Sequence, residues 1–385
     1  MIYLDNAATT KINKNVKNEI IKSMDEDYGN ASSLYDLGIN IEKKIKNVKD
    51  VILSNLHARD GKVIFTSGGT EGNNLLIKSV LDQVHEDKLK SVRIITSVIE
   101  HSAVSQIFRL YESMGVDVVW IPVDNTGMIN IQSLEEALNE NTILVSIMGV
   151  NNEIGSIQNL ELIGKLIKNN NSRCVFHTDF VQGFMKIPID VEKYNIDAVT
   201  ICAHKICGPK GVGALYVKNW VRLAPLFLGG GQEGGIRSGT ENNQGIIGFG
   251  ASIMEIDNQI NLSQRMHHIK FNMVEKLKKL DNIIINGEDG SPYILSISID
   301  GIRGEVLLHA LERRGVYIST GSACSSHKKG KNNILSAINL KQSYLEGTIR
   351  ISFSYETTLE EVETAAKVII EEVCALRNIM KYKNK

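Results

Sequence analysis

Short apolar runs alternate with helix-patterned stretches through the first two thirds of this chain, and that alternation narrows the folds open to it. Lys62-Val-Ile-Phe65 precedes a stretch in which Leu76, Val80 and Val84 share one helical face. Val92-Arg-Ile-Ile95 precedes the helical pattern of residues 103–114, and the run 116–121 precedes a shorter one at 134–138. Residues 142–150 read as a further buried strand. Strands joined one at a time by helices build a mostly parallel sheet covered on both faces, so the fold class is α/β. Residues 243–279 are patterned as a long helical stretch, which suggests a bridge into a second, smaller unit. A chain of 385 residues is too long for one small core and suits two domains.

Charge and cysteine usage remove several classes of function. A formal net charge of -1 gives no global attraction to nucleic acid or to an anionic membrane, so neither is an expected partner. No apolar run approaches the ~18 residues of a membrane span, and Met1-Ile-Tyr-Leu4 carries no basic export signal. Five scattered cysteines fit a reducing cytoplasm, in which a single thiol can do chemistry. Cys207 and Cys374 read as buried small side chains. Cys202, His204 and Cys207 lack the fourth ligand of a closed zinc site, so no metal is expected.

Two segments carry the chemistry. His177-Thr-Asp179 follows the apolar run Cys174-Val-Phe176, and His204-Lys205 follows the run 198–201 and enters a tight Gly208-Pro209 turn. Asp179 and Lys205 therefore both stand at strand ends, where an α/β sheet gathers its functional groups. An acid for a pyridinium nitrogen and a lysine for a Schiff base are what pyridoxal 5'-phosphate (PLP) requires. Phe65-Thr-Ser-Gly-Gly-Thr70-Glu71 is a strand end, a glycine turn and a helix start, a junction whose free N–H groups suit a phosphate. Gly229-Gly-Gly231-Gln-Glu-Gly234 matches the dinucleotide spacing but lacks a following helix, and that match is rejected. Cys324 lies among small residues, with Lys328, Lys329 and Lys331 close behind; exposure and positive charge favour its thiolate.

From Leu4-Asp-Asn-Ala-Ala-Thr-Thr10 to Arg350-Ile-Ser-Phe353 the chain resembles the class V, fold-type-I PLP enzymes, specifically cysteine desulfurases of the NifS/IscS type. The resemblance implies a large PLP-binding domain at 13–255 and a smaller α+β domain, built from 1–12 and 256–385, that carries the cysteine loop. It implies Lys205 as the imine-forming amine, Asp179 on the ring nitrogen and His101, of Glu100-His101, stacked on the ring and moving protons. Asn152 and Gln182 would bond the ring hydroxyl. Gly69, Thr70, Cys202, His204 and Thr240 would complete the cofactor site, Thr240 by reaching across a homodimer interface. Asn152 and Arg350 would hold the substrate, Arg350 as the clamp for its α-carboxylate. The implied reaction removes sulfur from L-cysteine, leaving L-alanine and a persulfide on Cys324 that passes to an acceptor protein. Iron–sulfur assembly and tRNA or thio-cofactor thiolation would use the same core, and the acceptor stays open. A transaminase, a selenocysteine lyase and a silent docking scaffold are the rival readings; Cys324 argues against the first, and Lys205 with Cys324 against the last. Four positions depart from the family pattern: Ala31, Tyr35, Phe180 and Cys202, the last standing where a serine normally binds the phosphate.

Overall fold

The computed structural model describes residues 1–320 and 333–383. The N-terminal strand β1 (Ile2–Tyr3) is followed by a seven-stranded sheet made of β2 (Lys62–Thr66), β3 (Arg93–Ser97), β4 (Asp117–Ile121), β5 (Thr142–Ser146), β6 (Val175–Asp179), β7 (Ala198–Cys202) and β8 (Gly213–Val217). Its order is β2-β8-β7-β6-β5-β3-β4, and β8 runs antiparallel to both neighbours while the other pairs are parallel. β6, β7 and β8 are buried at every residue, as strands covered by helices on both faces must be. β4, at the sheet edge, is buried only at Ile121.

The rest of the chain adds β9 (Ile283–Asn286), β10 (Ile294–Ile299), β11 (Val316–Tyr317), β12 (Ser319–Thr320) and β13 (Thr348–Ser352). β12-β13-β10-β9 form an antiparallel sheet, and β1 pairs in parallel with β11. The chain start is thus sewn to its last third. No helix among the described residues is long and apolar enough to cross a membrane.

Some local expectations change in three dimensions. The helix holding Leu76 ends at Leu81, short of Val84. The helical stretch 243–279 is two helices, Asn243–Asp257 and Leu262–Leu277, separated at Asn261 by a left-handed residue with φ 53°. Cys374 is exposed rather than buried. On the helix Leu359–Lys383 the buried residues Val362, Ala365, Ala366, Ile369 and Val373 follow helical spacing, and Cys374 falls one step, about 100°, off that stripe.

Phe180, where the family pattern has alanine, is 1% exposed, and two glycines make its room. A Cβ at Gly149 would lie 2.3 Å from Phe180 Cδ2, and one at Gly183 would lie 2.4 Å from its Cε2. Gly149→Ala is therefore expected to cost about 1–3 kcal/mol by overpacking a ring that has nowhere to move. Urea denaturation measures the loss. Phe180→Ala in the same chain should cost less than in wild type, since each change relieves the other's misfit.

Candidate active site

Five elements deliver side chains to one edge of the large sheet. β6 ends on Asp179, and β7 ends on Cys202 before a short turn containing His204 and Lys205. Helix Gly69–Leu81 starts just after β2, and helix Ser102–Ser113 starts just after β3 with His101 as its N-cap. The turn after β5 carries Asn152.

Asp179 is 5% exposed; its Oδ2 accepts Asn73 Nδ2 at 2.7 Å and its Oδ1 accepts Val181 N at 3.1 Å. Among the described residues it forms no ion pair. A buried carboxylate without a cation calls for a positive partner, which a protonated ring nitrogen would provide. Beneath it His177 is tied to Ser146 Oγ at 2.8 Å and Thr200 Oγ1 at 3.0 Å, and burial pulls its pKa down to about 3. A neutral imidazole there leaves the charge of Asp179 uncompensated from below. Glu100, anchored by Ser97 Oγ at 2.6 Å and Met148 N at 2.9 Å, is pushed up to about 8 by burial, with Asp179 adding to the shift.

Lys205 Nζ donates to the carbonyls of Ala7 and Ala8 at 2.6 and 2.7 Å. Ala7 O also accepts Gln182 Nε2 at 2.9 Å, so lysine and glutamine meet at one point of the N-terminal segment. Gln182 Oε1 and Asn152 Oδ1 are both buried without a hydrogen-bond partner among the described residues. Such orphans are costly in a finished core and mark a place built to receive a polar group. Burial, then the charge of Lys205, lowers the pKa of Lys186 to about 8. Burial and the charges of Lys205 and Lys210 hold His204 down at about 4, with its Nδ1 3.1 Å from Thr9 Oγ1. Cys202 is 1% exposed, and burial pushes its thiol up to about 11.

Gly69 and Thr70 form the first turn of their helix. A Cβ at Gly69 would lie 2.7 Å from Val181 Cγ2, so glycine lets this turn sit against the Asp179 loop. Glu71, in the same turn, pairs with Arg237 at 2.9 Å; despite its burial, hydrogen bonds from Arg237 and Ser67 hold its carboxyl below the usual range. That pair ties the 237–242 loop to the helix start, while Thr240 at the loop's tip is exposed. His101 Nδ1 accepts Ala103 N at 3.1 Å, which leaves Nε2 to carry the proton of the neutral ring.

Arg350, on β13, is 5% exposed. Its Nη2 meets Asp5 Oδ1 at 2.8 Å and its Nη1 donates to Asn152 O at 2.8 Å, joining residues far apart in sequence. Ser319 of β12 lies opposite Arg350 in register. Cys324 and the lysines that follow it lie outside the described residues.

The sequence reading passed over Asn73, Asp5 and the carbonyls of Ala7 and Ala8. Asn73 left a signal: it is a polar residue on the buried face of its helix, beside Gly72 and Leu76. Backbone carbonyls leave none.

Residues 2–364 match the family model described as aminotransferase class-V. The chain is 37% identical over 381 residues to the cysteine desulfurase IscS of Methanosarcina thermophila, covering 98% of this chain and 93% of that protein. A solved NifS-like protein superposes with a TM-score of 0.89 at 34% identity, over 96% of this chain and 98% of that one. SspA, solved in complex with cysteine, superposes with a TM-score of 0.81 at 31% identity, over 93% of this chain and 100% of that one.

Proposed function

Because this chain belongs to the class-V aminotransferase family and is a cysteine desulfurase of the NifS/IscS kind, we propose a role for each residue at the sheet edge. The observation that carries the proposal is the buried Asp179, without an ion-pair partner among the described residues, at one strand end beside Lys205 at the next.

PLP is the cofactor these residues fit; when bound it supplies an electron sink for bonds breaking at the substrate carbons. Asp179 holds the positive ring nitrogen. Asn152 and Gln182, whose amide oxygens have no partner among the described residues, would meet the ring hydroxyl, one amide oxygen accepting its proton and the other amide donating an N–H to its oxygen, and Gly69, Thr70, Cys202 and His204 would line the phosphate end. Lys205 anchors the group and carries protons to and from the substrate, and His101 moves a proton at Nε2. Arg350 clamps the α-carboxylate.

The Cys324 thiolate attacks the sulfur of L-cysteine: an S–S bond forms, the C–S bond breaks, and its electron pair stays with carbon, which is protonated. L-Cysteine plus an enzyme thiol thus becomes L-alanine plus an enzyme persulfide, with no outside reductant. Cys174, Cys202 and Cys207 make poor rivals, because burial pushes their thiols up to about 12, 11 and 11. An acceptor protein then takes the sulfur, in a cytoplasmic setting.

Among the described residues the seven-stranded sheet draws on 62–217 and the other two on 2–3 and 283–352, which supports a cofactor-binding unit at 13–255 and a smaller one from 1–12 and 256–385. Exposed Leu34, Tyr35, Phe227 and Leu228 support a homodimer in which Thr240 reaches the partner's phosphate site.

Purified protein given PLP, L-cysteine and a thiol reductant is expected to release alanine and sulfide in equal amounts. Pyruvate and ammonia in place of alanine would refute the assignment.

A further inference from the structure

The N-terminal segment 4–10 touches both working ends of the site. Asp5 engages Arg350 in an ion pair whose side chains are 20% and 6% exposed. Two residues on, the carbonyls of Ala7 and Ala8 hold Lys205. The segment is fixed from behind: Asn6 Nδ2 donates to Ser352 O at 2.9 Å, and Ala7 N donates to Ser352 Oγ at 2.8 Å. Tyr3 OH spans it, lying 2.8 Å from Thr9 O and 3.1 Å from Asp5 O, its one proton shared between the two carbonyls. Asp5 is thereby presented to Arg350 by a braced backbone.

A guanidinium offers a fork of N–H donors that matches one carboxylate. In Arg350, Nη1 serves the Asn152 carbonyl, Nη2 serves Asp5, and Nε is buried with no partner among the described residues. An arriving carboxylate therefore meets a cation that already has an anion of the protein's own on it.

We propose that Asp5 is a specificity-determining residue, a built-in competitor that occupies the Arg350 clamp until a substrate α-carboxylate displaces it. This rests on the reading of Arg350 as the clamp. A bare buried arginine would retain any small carboxylate. With Asp5 tethered beside it, only a ligand that gains further contacts in the site can win the exchange. Displacement also disturbs the segment whose carbonyls hold Lys205, so filling the clamp and releasing the lysine share one stretch of backbone.

The test is calorimetric titration of the holoenzyme with propionate, which has a carboxylate but neither amine nor thiol. Asp5→Asn keeps the shape and a hydrogen-bonding carbonyl but removes the charge. Propionate is expected to bind about five- to tenfold more tightly, because charge-assisted bonds are roughly twice as strong as neutral ones. KM for L-cysteine should fall by a similar factor with no gain in kcat. A merely structural Asp5 would lower Tm and leave propionate binding unchanged or weaker, and that result overturns the proposal. Arg350→Gln separates the two ways of failing. If it binds propionate as wild type does, the clamp reading is wrong and the proposal falls with it. If Arg350→Gln loses binding while Asp5→Asn gains none, the clamp stands and the competitor does not. Should Asp5→Asn fail to fold, Asp5→Ser removes the carboxylate altogether and is judged by the same criterion.

Discussion

Lys205→Ala is expected to lower L-alanine formation by at least about 10³-fold, because in the proposed mechanism one side chain supplies both the cofactor's anchor and the proton carrier. The fold should survive. The lost bonds run to the carbonyls of Ala7 and Ala8 in a segment fixed independently by Ser352 and by Thr10, whose N–H and hydroxyl reach His204 O at 2.9 and 3.0 Å. Their removal should cost no more than about 1–2 kcal/mol. Lys186 is the credible rival amine, since burial and the charge of Lys205 already bring it down to about 8. Borohydride reduction of the wild-type holoenzyme and peptide mapping distinguish the two. The pyridoxyl label is expected on Lys205 and absent from Lys205→Ala; a label on Lys186 or Lys210 would sink the assignment.

Cys324→Ser should be as damaging to turnover and harmless to the cofactor. A serine hydroxyl is far too weakly ionised to attack a substrate sulfur, so alanine formation should fall by at least roughly 10³-fold. No residue assigned to cofactor holding is touched, so the variant should remain yellow and still change its spectrum on adding L-cysteine. In wild type, mass spectrometry after one turnover should find the persulfide on Cys324. Cys202 is the sharpest alternative, ending β7 just before Lys205, but burial holds its thiol at about 11 and therefore protonated near neutral pH. A persulfide on Cys202, or wild-type turnover by Cys324→Ser, would end the mechanism given above.

The parts of the site that were legible in the sequence are those whose signals are local. An apolar run followed by a polar or glycine turn marks a strand end within a few residues, and that signal puts Asp179 and Lys205 at strand ends and Gly69 and Thr70 at a helix start, where the structure has them. The misreadings came where a local pattern ran past a physical boundary. The helical rhythm of 243–279 continued across Asn261, whose left-handed backbone breaks the hydrogen-bond ladder. Residue type alone makes Cys374 a buried side chain, whereas its position on the helix exposes it.

By itself the sequence determined which groups the chain brings: an acid, a lysine and a glycine turn at strand ends, and a thiol among small residues with lysines behind it. Its pattern of runs also determined that they stand on an α/β frame. Which groups meet was settled only by the tertiary structure. Arg350 reaches Asp5 across nearly the whole length of the chain, and Asn152, as Lys205 reaches Ala7, across about half of it. Contacts between such distant residues carry no periodicity, because they form only when β13, the sheet edge and the N-terminal segment are brought together by burial of the cores between them. The Asp5–Arg350 pair belongs wholly to that second kind of information.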